Sequence, residues 1–163
     1  MKQATIHTDF GTMTLQFFPD VAPKHIENFL ALAEDGFYDN LAFHRVIDGF
    51  MIQGGCPRGD GTGDGPRRLP AEFSDRPHEF GTLSMARSAD PDSASCQFFI
   101  CLDRSDFLDG QYTAFGQIAD EPSAETLKKI GKVPTQDGGS GEKSSPVEPV
   151  KIVKVTVEDA PES

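Results

Sequence analysis

Polar and apolar residues alternate near the start of the chain. Met13, Leu15 and Phe17 are interleaved with Thr12, Thr14 and Gln16, the pattern of a strand with one buried face. Residues 3–8 read as a preceding strand, with Asp9, Phe10 and Gly11 as the turn, so paired strands are predicted over 3–8 and 11–18. The period then lengthens. Ile26, Phe29, Leu30 and Ala33 recur at helical spacing, Pro23 suits a first turn, and Gly36 suits a stop. Further strands are predicted at 42–45 and 50–53 around the turn pair Asp48 and Gly49, and at 82–85, 97–101 and 113–116. Pro122 and Ser123 lead into a second helix that carries Ala124, Leu127 and Ile130 on one face and ends at Gly131; KIVKVTVED (151–159) reads as a closing strand.

Between these elements, residues 54–80 form a long loop that opens with GGCPRGDGTGDGP, and loops of this length in a compact domain usually line a site. Residues 134–149 (PTQDGGSGEKSSPVEP) read on composition as a mobile surface loop. Roughly eight short strands and two helices, without βα alternation, argue against a doubly wound sheet. A mainly β, closed antiparallel barrel with two flanking α-helices fits better, because closure removes sheet edges. One domain over 1–163 is expected.

Composition narrows the function. A net charge of −11 repels phosphate backbones, so nucleic acid is not an expected partner. No segment nears 18 apolar residues and the N-terminus MKQATIHTDFG has no signal-peptide character, so the expectation is a cytoplasmic protein without membrane contact. Cys56, Cys96 and Cys101 lack zinc-type spacing and read as buried thiols. His7, His25, His44 and His78 are scattered, and neither metal nor cofactor is expected. Thirteen Phe with no Trp point to an aromatic core or a Phe-lined groove.

The densest chemistry lies in FHRVIDGFMIQGG (43–55), where His44, Arg45 and Gln53 stand beside Phe43, Phe50, Met51 and Ile52. Strand alternation puts Met51 and Gln53 on one face and Phe50 and Ile52 on the other. A cationic fork, an amide and a thioether beside apolar rings suit an uncharged, amide-bearing ligand. An arginine on a solvated strand beside core residues accounts for the same pattern.

FHRVIDGFMIQGG resembles the cyclophilin signature, and LSMARSADPDSASCQFFICL (83–102) and FLDGQYTAFG (107–116) match further blocks of that family in order. The resemblance covers nearly the whole chain. It implies an eight-stranded β-barrel capped by two helices and peptidyl-prolyl cis/trans isomerase activity that helps unfolded or folded proteins through X-Pro rotation, most simply as a monomer. It implies that Arg45 is the catalytic arginine, that Phe50, Met51, Phe99 and Leu108 receive the proline ring, and that Gln53 and Gln97 are polar groove residues. Ala86 matches a small groove-floor residue, and Arg87 stands where many eukaryotic members carry Asn and many bacterial ones Arg. Phe107 and Tyr112 occupy the places of a Trp and a His, as in bacterial members. Phe107 lacks the indole N–H donor, which implies weak cyclosporin binding. A non-catalytic proline-peptide binding module is the alternative, disfavoured by the intact Arg45 and pocket.

Other patterns carry less. GDGTGDGP (59–66) lacks the Lys-Ser/Thr of a phosphate loop, and a calcium loop starting at Asp60 would place Ala71 where the bidentate Glu belongs. Ser84, Ser88, Ser93 and Ser95 lack a G-x-S-x-G elbow. Asp106, Asp109 and Glu72 read as solvated carboxylates rather than as a pair.

Overall fold

The computed structural model describes residues 2–59, 63–137 and 141–159. The predicted opening strands are present as β1 (Lys2–Thr8) and β2 (Gly11–Phe17), paired antiparallel with Ala4 opposite Leu15 and Ile6 opposite Met13. The closing strand is β11 (Lys151–Asp159), which lies antiparallel on the other side of β1.

The strand expected over 42–45 is split. Leu41–Ala42 forms β3, paired with β11, whereas Arg45–Ile47 forms β4, paired with β5 (Met51–Gly54). The break comes at Phe43, whose ring is fully buried and whose N–H donates to Val150 O at 2.9 Å. That bond continues the β3–β11 register by one residue, and the chain then changes partner, leaving β11 for β5. With β6 (Thr82–Met85), β7 (Phe98–Cys101) and β8 (Ala114–Ile118), nine strands among the described residues form one antiparallel sheet in the order β3-β11-β1-β2-β8-β6-β7-β5-β4. The count therefore exceeds the expected eight by the division of one strand. β3 and β4 end this order, yet only two residues separate them in the chain. The three Cα steps from Ala42 to Arg45 reach about 10–11 Å, so the sheet curls until its edges approach, without a ladder between them among the described residues.

Helix α1 (Pro23–Glu34) packs Ile26, Phe29, Leu32 and Ala33 into the interior. Its first turn lacks a local side-chain cap. Glu72, far away in sequence, accepts hydrogen bonds from the N–H groups of Lys24 at 3.3 Å and His25 at 2.8 Å, placing a negative charge on the helix N-terminus. Gly36 terminates the segment at φ +74°, a conformation open to glycine at little cost. Helix α2 (Glu121–Gly131) begins three residues earlier than expected, with Pro122 and Ser123 inside it, because Asp120 accepts from Ser123 N at 3.0 Å and acts as its N-cap. Lys128 and Lys129 in its last turn complement the helix dipole.

The interior is aromatic, as the Phe content implied. Phe29 lies 5.2–5.8 Å from the rings of Phe17, Tyr38, Phe98 and Phe115, and the Tyr38 hydroxyl donates to Cys96 O at 2.8 Å. Cys56, Cys96 and Cys101 are buried thiols. Burial pushes Cys96 and Cys101 up to about 12, a protonation state that keeps them chemically quiet.

The expected loop over 134–149 contains a hairpin instead. β9 (Thr135–Asp137) pairs with β10 (Lys143–Pro146) as a separate two-stranded sheet. These strands are polar and partly exposed, so no hydrophobic alternation marks them. Residues 138–140 lie outside the described residues, as do Asp60, Gly61 and Thr62 of the glycine-rich segment. Among the described residues no helix is long and apolar enough to cross a membrane.

Candidate functional site

β5 and β7 are neighbours, with Met51 opposite Cys101, Ile52 opposite Ile100 and Gln53 opposite Phe99. Side chains alternate across each strand. Ile52, Phe98 and Ile100 therefore enter the main core, while Met51, Phe99 and Cys101 emerge on the opposite side and join Leu108 in a smaller apolar cluster. Leu108 belongs to a single 3₁₀ turn, Asp106–Leu108. Phe50 packs on this outer cluster with Met51, not on the side of Ile52 as strict alternation implied. It precedes β5, in the turn, where the two-residue period does not operate.

Beside this cluster opens a cavity of about 190 Å³, lined by Arg45, Phe50, Met51, Gln53, Ala86, Arg87, Phe99, Leu108 and Tyr112. Nine of the residues singled out in the sequence meet there, from five separate segments. Gln97 stands next to it, its Oε1 accepting from Gln53 Nε2 at 3.1 Å. Phe107 is 66% exposed at the rim, its ring 5.7 Å from that of Phe50.

Arg45 is fixed from two directions. It faces Gln53 across the β4–β5 pair and donates from Nη1 to Gln53 Oε1 at 3.2 Å. From the other side Nε donates to Glu142 Oε1 at 2.9 Å and Nη2 to Oε2 at 3.1 Å. Hydrogen bonds from Arg45, and then from Ser144, hold the Glu142 carboxyl down at about 2. Three of the five guanidinium N–H groups are thus engaged by these two residues, and the plane of the fork is set.

The apolar wall is equally supported. Tyr112 meets Phe99 edge-on at 5.7 Å, and the Arg87 guanidinium lies over the Tyr112 ring at 4.6 Å while donating to Gln111 O at 2.7 Å. Behind Phe99 stacks His78, 6.1 Å between ring centres. His78 contacts Asp109 through Nδ1 at 3.1 Å and Ser84 through Nε2 at 2.9 Å. This resembles a hydrolytic relay in its residue types only: Ser84 is fully buried and its hydroxyl donates to Thr113 O at 2.9 Å. The relay acts as a brace for Phe99. Asp109 and Glu72, read in the sequence as solvated carboxylates, each hold a buried histidine, Glu72 contacting His25 Nδ1 at 2.6 Å. Glu142, the His78 brace and an adjoining cavity of about 250 Å³ that includes Arg68 and Asp64 were not singled out in the sequence. Only the fold brings such distant positions together.

Burial lowers the pKa of both His25 and His78, outweighing the opposing pull of their carboxylates. A histidine depressed in the folded state is more readily protonated in the unfolded chain. Stability is then full above the ordinary value near 6.5 and declines as pH falls through it. Thermal unfolding is expected to shift to lower temperature between pH 7.5 and 5.5, and less so in His78→Gln. A melting temperature flat over that interval would contradict neutral, buried imidazoles. Asp109, held at about 2 chiefly by Arg104, acts in a separate window below pH 4.

The family model for cyclophilin-type peptidyl-prolyl cis-trans isomerases matches residues 3–157. A peptidyl-prolyl cis-trans isomerase of Synechococcus elongatus is 49% identical over 130 residues, covering 80% of this chain and 89% of that protein. One of Helicobacter pylori is 46% identical over 129 residues, covering 78% and 79%. The crystal structure of a Cryptosporidium parvum cyclophilin-type isomerase, determined in the presence of the dipeptide Ala-Pro, superposes with a TM-score of 0.88 at 32% identity over 97% of this chain and 99% of that one. By the family match over nearly the whole chain, these identities and this superposition, the chain belongs to the cyclophilin family of peptidyl-prolyl cis/trans isomerases.

Proposed function

We propose that this isomerase twists X-Pro amides by seating the proline ring against Met51, Phe99 and Leu108 while Arg45 donates to the rotating bond. An X-Pro amide is held planar by resonance, and its uncatalysed rotation takes roughly tens to hundreds of seconds. Rotation breaks the conjugation and leaves a lone pair on the prolyl nitrogen. A donor fixed near that atom binds the twisted amide better than the planar one, which lowers the barrier without nucleophile, water or proton transfer. The observation that carries this reading is the Arg45 guanidinium, held by Gln53 and Glu142 in a cavity that it lines together with Met51, Phe99 and Leu108. Arginine suits the role because its charge and fork persist at any relevant pH.

The test is the cis-to-trans rate of a short X-Pro peptide, followed by exchange NMR with and without the protein. Acceleration is expected at catalytic amounts. Binding without acceleration would leave a proline-recognition module.

In our reading the natural partners are X-Pro segments of unfolded and folded proteins, met by a monomer in the cytoplasm as a folding helper. The net charge of −11 supports a partner set without nucleic acid or anionic membranes. Cyclosporin binds weakly in this reading, because Phe107 at the rim offers a ring and no N–H. Phe107→Trp is expected to tighten cyclosporin roughly 3- to 10-fold, the worth of one neutral hydrogen bond, read by competition against isomerase activity. An unchanged affinity would remove Phe107 from that contact.

A further inference from the structure

The Arg45–Glu142 pair has a consequence for which peptides the groove accepts. Glu142 grips the Nε/Nη2 edge of the guanidinium with both oxygens, at 2.9 and 3.1 Å. That side-on fork is the face of an arginine that best fits a carboxylate. An acidic substrate side chain arriving beside the proline would seek the same edge, and it is already occupied by a residue of this chain.

The occupancy is built into the fold. Glu142 immediately precedes β10, which packs against β4, the strand that carries Arg45. Its backbone carbonyl accepts from Ser144 N at 3.0 Å, and the Ser144 side chain also bonds its carboxyl group. The side chains of Arg45 and Glu142 are 36% and 42% exposed, so both remain within reach of a bound peptide. Arg87, at the other side of the cavity, differs. It donates to the carbonyl oxygens of Gln111, Ser88 and Ala89, and among the described residues no carboxylate forms a salt bridge with it. Among the described residues, the groove thus has one arginine paired with an internal carboxylate and one that is held by carbonyl oxygens.

We propose that Glu142 is a specificity-determining residue that excludes acidic side chains next to the substrate proline on the Arg45 side of the groove. An anionic flanking residue must either lie against the Glu142 carboxylate or displace it from Arg45, and both are unfavourable. Neutral and cationic flanking residues meet no such obstacle. Selection of this kind works by an unfavourable contact with the wrong peptide rather than an added contact with the right one. The inference rests on the isomerase reading of the groove.

Peptides with Ala, Lys or Glu directly before or directly after the proline, assayed with wild type and Glu142→Gln, test it. The readout is the ratio of kcat/KM for the Glu peptide to that for the matching Ala peptide within each protein. At one of the two positions wild type is expected to disfavour Glu by about 5-fold or more, and the position identifies the side that faces Arg45. In E142Q that ratio is expected to rise to one or above. Raising salt from about 20 mM to 0.5 M should narrow the wild-type ratio, because the discrimination is between charges near the surface. A steric block would not respond to salt. Equal ratios in wild type and E142Q at both positions would overturn the proposal, as would an E142Q protein that is folded and inactive toward every peptide, because Glu142 would then act only by holding Arg45 and not by selecting peptides. Failure of wild type to accelerate any peptide would instead remove the isomerase reading itself.

Discussion

Replacing Arg45 by alanine is expected to lower kcat/KM for an X-Pro peptide by about 10²–10³-fold, the usual effect of deleting one preorganised donor in a catalytic site. In free energy this is about 2.7–4 kcal/mol of lost transition-state stabilisation. The loss should appear mainly in kcat, because the apolar cluster proposed to hold the proline ring, Met51, Phe99 and Leu108, does not include the arginine. Arg45→Lys should also fall well below wild type: an ammonium keeps the charge and cannot be gripped by Gln53 and Glu142 in one plane. The fold should persist in both, since the arginine side chain is partly solvated and the exposed Glu142 it leaves behind can be hydrated. Exchange NMR measures the rate and circular dichroism the fold. If the folded R45A protein retained a third or more of wild-type activity, the arginine would not be the donor, and rotation would depend on the apolar pocket alone.

The largest effect on stability is expected on the opposite side of the sheet. Phe29 is fully buried and its ring touches four others, Phe17, Tyr38, Phe98 and Phe115. These come from helix α1, β2, β7, β8 and the segment after the helix, so the ring joins the helix to the curled sheet at several points. Phe29→Ala removes the side chain and leaves a cavity that surrounding rings can fill only in part. The expected destabilisation is about 3–5 kcal/mol, against a total of about 5–15 kcal/mol for a domain of this kind. In urea the transition midpoint should fall sharply with little change in slope. A loss under about 1 kcal/mol would mean that the aromatic cluster repacks, and that it is not the structural joint the ring distances indicate.

The periodic elements were legible in the sequence. β6 and β11 have the predicted bounds, and β1, β2 and α1 are within two residues, because each carries an apolar face that repeats at its own period. The candidate site residues, singled out through three motifs, all lie in or beside one groove. The break at Phe43 was not legible, since the pattern through residues 42–45 is continuous and the change of partner from β11 to β5 exists only in the fold. The β9–β10 hairpin was missed for a different reason: Gly, Ser and Pro dominate its composition, and polar strands on the outside of a domain have no alternation to detect. Glu142 was hidden twice, by that loop-like surrounding and by its separation from Arg45 along the chain. His78 and Glu72 show the same limit. A buried polar pair is a property of two segments, and neither segment alone displays it.

Strands β5 and β7 place two apolar clusters on one backbone, and the division follows parity. Even-numbered Ile52, Phe98 and Ile100 belong to the interior, while odd-numbered Met51, Phe99 and Cys101 belong to the groove side, with Gln53. Substitutions along these strands should therefore sort by odd and even residue number into those that alter catalysis and those that alter folding. The same arithmetic explains why the register of these strands cannot drift. A slip by one residue would exchange the sets, turning the catalytic face inward and the core outward in a single step.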